Sequence, residues 1–63
     1  DAAFLASLVG LTAVQAEEKA KAQGFTVRIV SVDRVPRAVT EDYSTSRINL
    51  DLVGGRVTRA TVG

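Results

Sequence analysis

The chain contains no cysteine, histidine, methionine or tryptophan among its 63 residues, and only one proline, Pro36. Without cysteine or histidine there is no disulfide and none of the usual zinc constellations. The same absence excludes Ser/His/Asp and Cys/His nucleophilic arrangements. Catalysis would have to run on carboxylates or lysine, and the one adjacent acidic pair outside a helical pattern, Glu41-Asp42, sits in an extended stretch where neighbours point to opposite sides. The expectation is a protein that is not an enzyme and that needs no cofactor or metal.

Aromatic residues are scarce as well. Phe4, Phe25 and Tyr43 are too few and too scattered to form a base-stacking platform. Eight basic residues against seven acidic ones give a net charge of +1, with the signs interspersed, so there is no basic patch of the kind nucleic acid requires. The most apolar run, "AAFLASLVGLTAV" from Ala2 to Val14, is shorter than the roughly 20 residues a bilayer span needs and has no basic flank. Neither nucleic acid nor membrane is expected as a partner. A first residue of Asp1 rather than methionine suggests a mature or trimmed product, and with it a secreted, periplasmic or extracellular location.

What remains is one domain, 1–63, near the lower size limit for a core that folds without staples, and expected to be monomeric. Phe4, Leu5, Leu8 and Val9 have the spacing of a short amphipathic turn or helix that Asp1 can cap and Gly10 ends. "TAVQ" then reads as a capping box, Thr12 with Gln15, with Leu11 and Ala16 as the hydrophobic staple. The strong helix formers of "AVQAEEKAKAQ" predict the main helix over Ala13 to Gln23, with Glu17 and Lys21 paired at i, i+4 and Gly24 as the left-handed stop. Its inward face, Ala13, Ala16 and Ala20, is made of small residues that allow close approach to a sheet.

Three strands follow. "FTVRIVSV" alternates Phe25, Val27 and Ile29 with Thr26 and Arg28; "RINLDL" places Ile48, Leu50 and Leu52 on one face; Gly54-Gly55 is a hairpin turn into "RVTRATV". Between the first two strands lies a connection from Asp33 to Ser46 with no helical pattern, long enough for a crossover that makes them parallel. The fold class is therefore α+β: a single helix packed on a small mixed parallel and antiparallel sheet, with a long exposed loop, about residues 33–46, between the parallel strands. A loop of that length is usually either disordered or functional.

The order and spacing of several short pieces resemble the potato inhibitor I family of serine protease inhibitors, including its bacterial and fungal relatives. The pieces are "LVG" at Leu8 to Gly10, the helix capped at Thr12, Val39-Thr40, Asp42-Tyr43, Arg47 opening "RINL", and the final "VG". The resemblance implies a small wedge whose exposed loop enters a protease cleft like a substrate. It places the scissile bond at Glu41-Asp42, with Glu41 in the primary specificity pocket and Ala38, Val39, Thr40, Asp42 and Tyr43 around it. Arg47 on the strand beneath would be the principal support, bonded to Thr40 and Asp42.

Three departures from the family pattern stand out. Glu41 occupies a place where a large apolar or basic residue is usual, which directs attention to a glutamate-specific endopeptidase with a basic pocket, or to a broad subtilisin-like protease with an open cleft. Asn49 stands where the family often has a second supporting arginine. Phe4 is the residue available to take the role of the family's N-terminal tryptophan. Two alternatives stay open: a PASTA-like cell-wall-binding module, which the first half also resembles, and a scaffold of the same wedge fold without inhibitory activity.

Overall fold

The computed structural model describes residues 1–63 and contains two helices and a four-stranded mixed sheet. Helix α1 spans Ala2–Leu8 and begins where Asp1 accepts a hydrogen bond from the Phe4 amide at 2.9 Å. Helix α2 spans Ala13–Ala22. Its capping box is complete: the Gln15 amide donates to the Thr12 hydroxyl at 3.2 Å, and the Thr12 amide donates to the Gln15 side chain at 3.1 Å. At the other end the Phe25 amide reaches the Ala20 carbonyl and the Gly24 amide the Lys21 carbonyl, which requires Gly24 at φ +85°. That pair of bonds is a Schellman closure, and it turns the chain directly into the sheet.

The strands are β1 (Thr26–Val32), β2 (Val35–Pro36), β3 (Arg47–Val53) and β4 (Arg56–Val62), arranged β2-β1-β3-β4. β1 and β3 are parallel; the β1/β2 and β3/β4 pairs are antiparallel. Irregularities fall between Ile29 and Ser31 in β1 and between Asp51 and Leu52 in β3. The segment between the helices also joins the sheet edge, because the Gly10 amide bonds the Val57 carbonyl and the Val57 amide bonds the Leu11 carbonyl, both at 2.8 Å.

β3 alternates as its sequence requires, with Ile48, Leu50 and Leu52 buried and Arg47, Asn49, Asp51 and Val53 on the opposite face. The buried side meets Leu8 of α1, Ala16 and Ala20 of α2 and Val57 of β4 in a core without a polar member. Alanine on α2 brings the helix axis close to the sheet, as its sequence predicts. Phe4 and Phe25 stack at the margin, with centroids 6.0 Å apart and planes 17° from parallel. Burying each of Leu8, Ile48, Leu50 and Val57 contributes about 1.5–3 kcal/mol.

The expected α+β class and the parallel crossover are present, with three differences in detail. The N-terminal turn is a true second helix, so the sheet carries two helices rather than one. The connection expected over 33–46 is not wholly irregular: Val35–Pro36 returns as a short edge strand beside Ser31 and Val32, leaving 37–46 as the exposed part. Proline suits that place because an edge strand has one unpaired side. The main helix ends at Ala22, with Gln23 as its cap.

Candidate functional site

Leu8, Ala16 and Ala20 of the two helices pack on one face of the sheet, and the other face carries mostly polar side chains. Across it the strand register aligns side chains in rows: Thr26 beside Arg47, Arg28 beside Asn49 and Thr61, Ser31 beside Asp51 and Arg59. The loop lies over one end of this face. At the other end Ser31, Arg34, Asp51, Val53, Thr58 and Arg59 line a shallow concavity of about 340 Å³.

The loop is fastened at both ends by main-chain bonds. The Arg37 amide donates to the Val30 carbonyl at 2.9 Å, the Ser44 amide to Gly63 at 3.1 Å, and the Thr26 amide to the Ser46 carbonyl at 2.9 Å. Between these anchors no main-chain group of residues 38–43 bonds to other main chain. The main-chain groups of Ala38, Val39 and Glu41, which have no partner, are free to pair with the edge of another protein's sheet.

Side chains supply the intermediate support. Arg47, at the start of β3, donates to the Asp42 carboxylate at 3.1 Å and to the Asp42 carbonyl at 2.9 Å. The same guanidinium bonds the Gly63 oxygen, through Nε at 3.2 Å and through Nη2. Arg47 is largely shielded, with its side chain 16 % exposed. The Thr40 hydroxyl donates to Asp42, so Thr40 and Asp42 close a small ring of their own. Thr40 therefore meets Asp42 directly, and its own arginine partner is not Arg47.

That partner is Arg28, in the middle of β1, which donates through Nη1 to the Thr40 carbonyl at 3.1 Å and to its hydroxyl at 3.3 Å. The same nitrogen stands 3.8 Å from the Asp42 carboxylate. Asn49 does not touch the loop; its side-chain oxygen accepts from Arg28 Nε at 3.0 Å and so acts on the loop through Arg28. In the sequence Arg28 is only the outward member of an alternating strand. The signal that could have found it was the parallel pairing of β1 with β3, which puts Arg28 next to Asn49.

Asp42 responds to these donors. The Thr40 hydroxyl first, then Arg47, hold its carboxyl down from the usual 3.8 to about 2. Glu41 is the contrast: it is exposed, and its carboxylate has neither a hydrogen bond nor an ion pair. Of two neighbouring acids, one is tied to the scaffold and one is presented to solvent. Val39 and Tyr43 are also exposed, at 42 % and 72 %. Tyr43 is thus not the half-buried anchor a lone aromatic suggests, although its ring borders Gly63, where an added Cβ would lie 3.7 Å from it. Ala38 is exposed beside them.

No group of three or more His, Cys, Asp or Glu side chains converges as metal ligands would, and no helix is long and apolar enough to cross a membrane. No family model matches the chain, and comparisons with curated proteins and with solved structures likewise find no match.

Proposed function

We propose that the protein is a substrate-like inhibitor of serine endopeptidases, of the kind its resemblance to the potato inhibitor I family implies, with Glu41-Asp42 as the scissile bond. The observation that carries this reading is the pair of arginines, Arg28 and Arg47, holding the carbonyls of Thr40 and Asp42 on either side of Glu41. Everything that scaffold leaves unpaired is what a protease cleft would use: the main-chain groups of Ala38 and Val39, the Glu41 carbonyl and the Glu41 side chain.

The physical logic is preorganisation. Ordering a residue costs roughly 1–2 kcal/mol, and a loop already held in the shape the cleft requires does not lose that freedom again on binding. If the protease cuts the bond, the new ends stay on the scaffold and the peptide can re-form. Val39 fills a neighbouring apolar subsite and Ala38 contributes little. Glu41 enters the primary pocket, where an unpaired carboxylate is costly in apolar surroundings. The fitting targets are a glutamate-specific endopeptidase with a cationic pocket and a subtilisin-like protease whose open cleft leaves the carboxylate wet.

The test is incubation with a subtilisin and with a glutamyl endopeptidase at known active-site concentration. Stoichiometric inhibition with a dissociation constant in the nanomolar range is expected for at least one, and rapid digestion by both, or indifference of both, would reject the reading. Glu41→Leu is expected to tighten binding to the subtilisin by about tenfold or more and to weaken binding to the glutamyl enzyme. Inhibition constants unchanged on both enzymes would remove Glu41 from the scissile position.

A further inference from the structure

We infer that Arg28, aimed by Asn49, is the positioning residue for the N-terminal side of the scissile bond, and that it works in series with Arg47 on the other side. This rests on the reading of residues 38–43 as a protease-binding segment, and it assigns a role to two residues of the sheet that lie outside that segment.

The geometry divides the work. Arg47 grips Asp42 through both carboxylate and carbonyl. Arg28 grips Thr40 through carbonyl and hydroxyl. The bond between Glu41 and Asp42 lies between the two grips, and the grips belong to different strands. Because β1 and β3 are hydrogen-bonded neighbours in parallel register, the distance between the grips is fixed by the sheet rather than by the loop.

Arg28 is built for this more than an ordinary strand arginine. Its side chain is only 20 % exposed, and its fork is spent in two directions, Nε on Asn49 and Nη1 on Thr40. Asn49 Oδ1 accepts from Nε and fixes the plane of the guanidinium, so that Nη1 is delivered to the loop. Lysine has no such fork and could not bond both partners with a fixed plane. Arg34, Arg37, Arg56 and Arg59 make no side-chain hydrogen bond to the loop, so the role does not pass to a neighbour.

Series action follows from the chemistry of cleavage. Attack on the Glu41 carbonyl breaks the C–N bond; Glu41 becomes the acyl group on the enzyme, and Asp42 leaves as an amine that takes up a proton. The amine can attack the acyl carbon again, losing that proton as the peptide bond re-forms, only while both stay opposed. Arg47 ties the amine side to the scaffold, and Arg28 ties the acyl side to the same scaffold. Releasing either one lets the two ends drift apart, after which water completes hydrolysis.

The experiment compares wild type, Arg28→Met, Arg47→Met and the double variant for the rate of Glu41-Asp42 cleavage by an enzyme that the wild type inhibits. Amide relaxation of residues 38–43 is measured in parallel without any protease. Each single variant is expected to raise cleavage by about tenfold or more, the double variant by no more than about twofold beyond the larger single effect. Arg28→Met is further expected to lower the order of Ala38 to Glu41, with Asp42 and Tyr43 less affected.

Arg28→Lys should remain substrate-like, and Asn49→Leu should show the same direction of effect with β1 untouched. Cleavage of Arg28→Met within about twofold of wild type, multiplication of the two single effects, or full rescue by lysine would overturn the inference. If the wild type inhibits no serine endopeptidase, the functional reading fails, and the positioning claim is judged by relaxation alone: unchanged order at Thr40 in both Arg28→Met and Asn49→Leu overturns it.

Discussion

Asp42 and Thr40 show how two small side chains set the state of a loop. The Asp42 carboxyl is more than half exposed, yet the Thr40 hydroxyl and Arg47 keep it ionised down to about pH 2. Its folded value lies below the ordinary 3.8, so the stabilisation it gives is fully present above that value and is lost as pH falls through about 2. The ordered loop should therefore survive at pH 3 and loosen only in stronger acid. Because the Thr40 bond is the largest cause, Thr40→Val is expected to move the Asp42 midpoint upward toward 3.8, and Arg47→Met to move it the same way by less. A carboxyl-detected NMR titration reads both. A midpoint left at about 2 in Thr40→Val would mean that the hydroxyl does not hold the carboxylate.

At the scale of elements, the turn between β1 and β2 carries an unusual load. Asp33 and Arg34 both have positive φ, 50° and 69°, as a two-residue hairpin of the primed type demands, though neither is glycine. Asp33 tolerates this conformation better than most residues and repays it by accepting from the Gly54 amide at 2.8 Å, which ties this turn to the β3/β4 turn. Asp33→Ala removes the bond and keeps the unfavourable backbone, so a loss of about 1–2 kcal/mol in urea unfolding is expected. A variant as stable as wild type would show the two turns to be independent.

The same elements explain what could be read in advance. The capping box, the glycine stops and the alternation of β3 are local patterns, set within three or four residues, and they appear where the sequence places them. β2 was not legible, because two residues containing a proline carry no strand periodicity and pair only after the turn has brought them back. The bond from Arg47 to Asp42 was expected because the resemblance places Arg47 directly after the loop motif. Arg28 was not, since its partner Asn49 is distant in the chain and is brought beside it only by the parallel ladder.

The whole molecule has little stability to spare. A chain of 63 residues has a typical unfolding free energy of about 3–9 kcal/mol, and here it rests on four large, almost fully buried side chains. Leu50→Ala, at the centre of β3, is expected to cost about 2–5 kcal/mol and so to leave a substantial unfolded fraction at 25 °C. Circular dichroism with urea titration measures it. A loss below about 1 kcal/mol would mean that the helices collapse onto the gap, which the small alanine face of α2 leaves little room to do.

The Gly63 oxygen accepts from the Ser44 amide and from Arg47, and Arg47 in turn holds Asp42. A Cβ on Gly63 would lie 3.0 Å from Asn49 Nδ2, so a side chain there would press on the residue that aims Arg28. One glycine thus borders both braces. It is a natural spectroscopic reporter: its amide, bonded to the Arg47 carbonyl, should shift whenever the loop is engaged, cut or released, so that the state of the loop can be followed without placing a label on it.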